Sequence, residues 1–323
     1  MSRAAADNAL LHKDSKNGKS KLNLFFRRLK RERELWLISI PMIIWVAIFA
    51  YYPMYGVFMS FVDYIPGKEI FSSQWVGFKW FMEFFTSPDF GIIMRNTLVI
   101  SGLNLLIGFP APILLAILFN EIKNKYFKKT IQSISYLPYF ISWVVAASLL
   151  YTFLGNDGIL NDMLIRLGVL DKTISFLGES KYFWMIITVA NIWKNIGWST
   201  IIYLSAIAGI DEELYQAGAV DGLGRFGAVW HIILPSIRPT IILLWILAVG
   251  GLLNAGFEQQ LLIGNVQTRE VWDVIDTYAY RFGVQMGRYS YGTAVGLMKS
   301  VIGLGLVLLT NKISKKAMGL SII

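Results

Sequence analysis

The chain has 323 residues, 55% of them hydrophobic and only 16% charged, with a mean hydropathy of +0.53. Soluble domains carry about 25% charged residues, so this composition excludes an ordinary soluble enzyme and, for the bulk of the chain, disorder. Zero cysteines exclude disulfide, zinc-thiolate and iron–sulfur chemistry, His12 and His231 alone cannot build a histidine metal site, and a net charge of +9 leaves nucleic acid, a membrane surface or an acidic ligand as possible partners.

Residues 1–34 come first, a polar stretch with ten Lys and Arg, and Phe25 and Phe26 beside Arg27, Arg28 and Lys30. Such a tail is expected to lie in the cytoplasm, at the anionic leaflet. Residues 35–62 then carry no charge, 28 positions where a bilayer-crossing helix needs about 20. The run starts too late and is too long for a cleavable signal core of about 7–15 residues. Further apolar runs place spans at 96–120, 131–154, 183–209, 239–257 and 289–311, the fourth and sixth interrupted only by Lys194 and Lys299. Six spans leave 19 of the 30 Lys and Arg on one side of the membrane and nine on the other. This bias puts both termini in the cytoplasm. The expected fold class is an all-α membrane protein, with a tail over 1–34 and one six-span domain over 35–323. Prolines 41, 53, 110, 112 and 138 fall within spans or at their ends, as kinks a helical bundle tolerates. Gly292 and Gly296 form a G-x-x-x-G suited to close helix packing.

Three motifs suggest chemistry and fail in context. Gly18-Lys19-Ser20 looks like the end of a phosphate loop, but the position that needs Gly holds Lys13 and no strand precedes it. Gly222-Leu223-Gly224-Arg225-Phe226-Gly227 fits G-x-G-x-x-G, yet it lies between two spans with no strand before it. Asp211, Glu212 and Glu213 cluster without a His, Cys or partnered Ser at a defined spacing. The chain is therefore read as carrying no catalytic, metal or cofactor site.

The stretch 211–238 is the most informative. Its acidic start suits a helix N-terminus. Ala217, Gly218 and Ala219 are small enough for close approach, and Gly222 is placed to end the helix in a left-handed cap. A second, bent helix should then run toward Leu234, with Pro235 and Pro239 marking the start of the fifth span. This segment resembles the EAA loop of bacterial ABC-importer permeases: Gln216-Ala217-Gly218, then Gly222, then Ile232, Ile233, Leu234 and Pro235 at the family spacing. Gln216 stands where Glu is usual and Gly218 where Ala is usual; the second change weakens the helix by about 1 kcal/mol. The resemblance runs from the first span to the C-terminus. Arg95-Asn96-Thr97-Leu98, Tyr136-Leu137-Pro138 and Trp193-Lys194-Asn195-Ile196-Gly197-Trp198 look like the oligosaccharide-importing branch, nearest to systems for alginate and polygalacturonan.

The resemblance implies a type I ABC-importer permease fold. It implies partners too: a second permease subunit, two ATPase subunits that bind the ATP and Mg, a periplasmic or lipid-anchored solute-binding protein, an oligosaccharide and membrane lipid, but no nucleic acid. Glu213, Tyr215, Gln216, Ala217, Gly218, Ala219, Asp221, Gly222, Leu223, Arg225 and Phe226 would couple to the ATPase. For the substrate pathway the candidates are Trp193, Lys194, Asn195 and Trp198, with Asn254, Gln259 and Lys299. A charge deep in a span faces a cavity or a partner. Lys194 and Lys299 could thus favour an acidic sugar, or Lys194 could satisfy a helix end or a partner carboxylate. The alternative reading is an ion-driven secondary transporter of a small solute, which would need ionisable relays inside the spans.

Overall fold

A computed structural model describes residues 33–319, which fall into two compact units divided between Phe58 and Met59. The tail expected over 1–34, with its phosphate-loop look-alike, lies almost wholly outside the described residues.

The first unit holds α1 (Arg33–Val46), a π-helical turn (Ala47–Tyr51) and the start of a 3-10 stretch, Tyr52–Phe61. Leu37, Met42, Trp45 and Phe49 point outward on every side, the signature of a helix whose surroundings are apolar all round.

The second unit opens on a short hairpin, Val62–Asp63 paired antiparallel with Gln74–Trp75. After α2 (Lys79–Thr86) come α3 (Phe90–Leu103), a π turn (Asn104–Gly108) and α4 (Pro110–Glu121), which together form one long helix. Next are α5 (Lys125–Tyr136), a 3-10 turn (Leu137–Phe140), α6 (Trp143–Leu154) and α7 (Ile159–Arg166). The unbroken α8 (Ser180–Ala208) leads to α9 (Glu212–Val220). Then α10 (Arg225–Ala228) continues through a π turn (Val229–Ile233) into α11 (Leu234–Gly250). The short α12 (Glu258–Ile263), α13 (Arg269–Trp272) and α14 (Ile275–Tyr280) precede a π turn (Arg281–Gln285) and α15 (Tyr289–Met318).

Five of these stretches are long and apolar enough to cross a membrane: Arg33–Phe61, Phe90–Glu121, Trp143–Arg166, Arg225–Gly250 and Tyr289–Lys316. The sequence reading expected six. The helix that falls short is α8, which at 29 residues is long enough but carries Asn191, Lys194, Asn195 and Ser199. Helix ends also depart from the apolar runs. The run 131–154 is not one helix, because Pro138 has no N–H to continue the ladder and the chain turns there. The run 239–257 belongs to a helix that starts at Arg225 and ends at Gly250, so Pro235 sits in the first turn of α11 and Pro239 inside it.

Three apolar cores hold the unit together. Trp80, Phe84, Ile93, Tyr278 and Tyr291 join α2, α3, α14 and α15. Ile100, Ala147, Phe183, Ile187, Ile263 and Val271 join α3, α6, α8, α12 and α13. Ile113, Ala116, Tyr203, Ile207, Ile233 and Ile237 join α4, α8 and α11. At about 100° per residue, Ile187 and Tyr203 leave α8 on nearly opposite sides, so the helix passes from one core to another midway along its length.

The stretch 258–288 is no loose connection. Ion pairs fasten it: Lys299 to Asp276, Arg281 to Asp273 and Arg288 to Glu83. Gly292 touches Gly283, where an added Cβ would come within 2.5 Å of the Gly283 Cα, whereas Gly296 faces open space. Of the expected G-x-x-x-G surface, only its first glycine makes a close contact in this chain.

Candidate functional sites

The loop after α8 is built as a capped helix. Asp211 accepts a hydrogen bond from the Glu213 N–H at 3.0 Å, and Glu212 and Glu213 add negative charge to the first turn of α9. At the other end Gly222 has φ +76, its N–H donates to the Ala219 carbonyl at 3.1 Å and the Leu223 N–H donates to the Gly218 carbonyl at 2.9 Å. This is a Schellman cap, closed by the Leu223 side chain folded over Gly218. Gly218 is buried, and a Cβ there would lie 2.8 Å from Ile232 Cδ1 and 3.1 Å from Leu223 Cδ1. Its departure from Ala is thus a matter of fit, not only of helix propensity.

Tyr215 anchors α9 against the third core, and burial, with the Glu121 carboxylate second, holds its hydroxyl above the ordinary tyrosine range. Arg225 lies 3.8 Å from Glu121 in a solvent-facing pair of little energetic weight. Glu213, Gln216, Ala217, Ala219, Asp221 and Phe226 are all exposed on the same loop. Leu214, Val220 (88% exposed), Phe226 (84%) and Trp230 form apolar surface around it. Apolar side chains displayed in that number suit a surface covered by a partner protein or by the membrane.

A cleft of about 300 Å³ opens between α8, the π turn after α3 and the turn before α12. Its polar lining is Asn104, Asn191, Asn195, Ser199, Asn254 and Gln259, and none of its twelve lining residues is charged. Gln259 Nε2 donates to Asn191 Oδ1 at 3.3 Å, and Asn195 Nδ2 donates to the Asn191 carbonyl at 2.9 Å. Gly256, at φ +92, has no side chain to block Gln259; a Cβ there would overlap its amide. Two more hollows adjoin the cleft, one sharing Asn104 and Asn254, the other sharing Gly108, Pro112 and Ser199. Together they form a chain of cavities along α4, α8 and α11.

Asn195, Asn254 and Gln259, expected from the sequence, therefore meet in one cleft. Trp193, Lys194, Trp198 and Lys299 are not among its lining residues. Lys194 donates to the Tyr139 carbonyl at 3.0 Å, and Lys299 is paired with Asp276. Trp198 stacks on Tyr139 with centroids 4.7 Å apart and planes 7° from parallel. Asn104 and Asn191 escaped the sequence reading. The signal for Asn104 was a lone amide in an apolar run four residues before Gly108, where the helix widens to a π turn, a feature frequent at functional sites.

Comparison with known proteins gives consistent relatives. Residues 108–318 match the family described as "Binding-protein-dependent transport system inner membrane component". The chain is 46% identical to protein LplB of Bacillus subtilis over 89% of its length and 90% of that protein's. It is 42% identical to the polygalacturonan/rhamnogalacturonan transport system permease protein YteP of the same organism, over 92% of each. Among solved structures it resembles a chain of a bacterial alginate ABC transporter in complex with an alginate pentasaccharide-bound periplasmic protein. The TM-score is 0.83 and the identity 41%, covering 92% of this chain and 99% of that one.

Proposed function

Because the chain belongs to the family of binding-protein-dependent transport system inner membrane components, we propose that it forms part of the path by which an ATP-driven importer takes an oligosaccharide into the cell. It is a multi-pass membrane permease, a transport subunit that works with a solute-binding protein. Family membership favours this reading over the ion-driven secondary transporter.

The observation that carries the substrate class is the uncharged, amide-lined cleft. Amides both donate and accept, as sugar hydroxyls do, and a ring of them binds hydroxyls without demanding a charge. Asn104, Asn191, Asn195, Asn254 and Gln259 are the proposed sugar contacts, with Ser199 beside them. In this reading α8 is a sixth crossing helix, made polar by the cleft it lines, and both termini are cytoplasmic. A second permease subunit completes the path. Two ATPase subunits hold ATP and Mg, and one of them receives α9 and the apolar surface around it. The names of relatives that handle polygalacturonan and rhamnogalacturonan, or the acidic polysaccharide alginate, support fragments of such polysaccharides as cargo.

The test is reconstitution. The chain is purified in mild detergent with what accompanies it, placed in liposomes with its binding protein, and assayed for uptake of an oligogalacturonide. Uptake that requires ATP and falls on changing Asn191 and Gln259 to Leu supports the proposal. Uptake that proceeds without ATP, or a chain that recovers neither an ATPase nor a second permease, refutes it.

A further inference from the structure

We propose that Lys194 is a positioning residue: with Gly197 and Trp198 it locks α8 to the break between α5 and α6, so that the two move as one body when the coupling loop moves. This rests on the importer reading above, since it gives the joint something to transmit.

The break creates a chemical need. The chain leaves α-helical geometry for a 3-10 turn at Leu137–Phe140, and the last carbonyls of a helical segment have no partner within it. In apolar surroundings such a carbonyl must be satisfied from elsewhere. The Tyr139 carbonyl receives the Lys194 ammonium at 3.0 Å. A cation at this end of a helix is also favoured by the helix dipole. Lys194 is 8% exposed and makes no ion pair with a carboxylate among the described residues. Its remaining surroundings are the rings of Tyr139 and Trp143, with centroids 5.6 and 5.7 Å away. These contacts come from the break itself and from the first residue of α6.

Two more contacts set the register. One turn along α8, Gly197 lies so close to α5 that a Cβ would sit 2.0 Å from the Ser135 carbonyl oxygen. The next residue, Trp198, lays its indole flat on Tyr139. A hydrogen bond, a backbone contact and a stack thus tie residues 194–198 to residues 135–139. Asn195, inside the joint, lines the cleft. The helix continues without a break to Ala208, with α9 beginning at Glu212. A push on α9 therefore reaches the cleft through a rod whose partner cannot slide.

The test uses the full complex in proteoliposomes with its binding protein, measuring sugar moved per ATP hydrolysed. The probes are an oligogalacturonide and its carboxyl-reduced, neutral counterpart. Lys194→Met should lower the ratio roughly tenfold, the size set by losing a hydrogen bond to a charged group, and equally for both probes. Lys194→Arg, which still donates to a carbonyl, should return it to within about twofold of the unaltered protein. Trp198→Leu, which spares the lysine, should give a smaller fall in the same ratio and keeps the test decisive if the Met variant does not assemble. Three outcomes overturn the proposal: an unchanged ratio in both Lys194→Met and Trp198→Leu, a loss confined to the acidic probe, or no rescue by Arg. If the unaltered complex moves neither probe with ATP, the importer reading falls and this inference with it.

Discussion

Gly222 offers the sharpest quantitative test of the proposed coupling role of the loop. Its φ of +76 is in the left-handed region, and nothing lies within 4 Å of where a Cβ would stand. A substitution there costs nothing in steric overlap, so the whole penalty is backbone strain, about 1–2 kcal/mol for an ordinary L residue. Asn tolerates the left-handed region and should cost least, Ala should pay the ordinary penalty, and Val, branched at Cβ, should cost most. Relief is available if the cap opens, which breaks the two hydrogen bonds from Gly222 and Leu223 and lifts Leu223 from Gly218. A helix end that opens is no longer preformed for its partner. For Ala, the expected result is an apparent affinity for the ATPase subunit about 5–30-fold weaker, the ratio set by 1–2 kcal/mol. The assay is titration of purified ATPase against the permease in detergent, read as binding and as stimulated ATP hydrolysis. If Val binds as well as Asn, or if Ala shifts binding by less than about twofold, the preformed cap is not what the ATPase recognises.

Four further outcomes follow from the geometry. Asp211→Ala removes the cap at the other end of α9 and should cost about 1 kcal/mol of loop stability, with Asp211→Ser restoring most of it; protease sensitivity of the loop reads this. Gly292→Val drives a side chain into the Gly283 backbone and should cost about 1–3 kcal/mol, seen as a lowered melting temperature in detergent. Gly296→Val, facing open space, should stay within about 0.5 kcal/mol of the unaltered protein, and equal damage from both would refute the packing described here. Asn191→Leu and Gln259→Leu should each weaken sugar-dependent uptake by about 1 kcal/mol, visible at limiting sugar and lost at saturation.

What could be read from residue order is uneven, and the reasons are physical. The loop helix was legible because its signals are local: an acidic start, small residues, a Gly at the cap and Leu234-Pro235 beyond it. Apolar runs located the long helices because bilayer thickness sets a minimum length. Pro138 marked a kink in its run, but hydropathy does not register that a turn made of Leu, Pro, Tyr and Phe ends one helix and starts another. The stretch 258–288 read as a connection because its charged residues suggested solvent, when Asp273, Asp276, Arg281 and Arg288 are spent on one another and on Glu83 and Lys299. Charge marked Lys194 as unusual, but its partner is a backbone carbonyl 55 positions away, and no side-chain pattern announces a carbonyl. The cleft amides share this difficulty. Asn104 is isolated inside its run, Asn191 sits one turn before Asn195, and only the folded chain brings them beside Asn254 and Gln259.

The polarity of α8 has a consequence for how the protein is made. Taken as the proposed sixth crossing helix, it presents Lys194 near its middle, and such a residue resists transfer from the insertion machinery into lipid by about 2.5–3.5 kcal/mol. The acceptor for that ammonium, the Tyr139 carbonyl, is synthesised 55 residues before it and so precedes α8 out of the ribosome. The segment from α5 to α8 is then expected to be delivered to the bilayer as a unit. The same contact that fixes the helix in the finished protein would first offset that cost, so Lys194→Met, which removes the charge, should raise rather than lower the fraction of nascent chains in which α8 reaches full membrane integration.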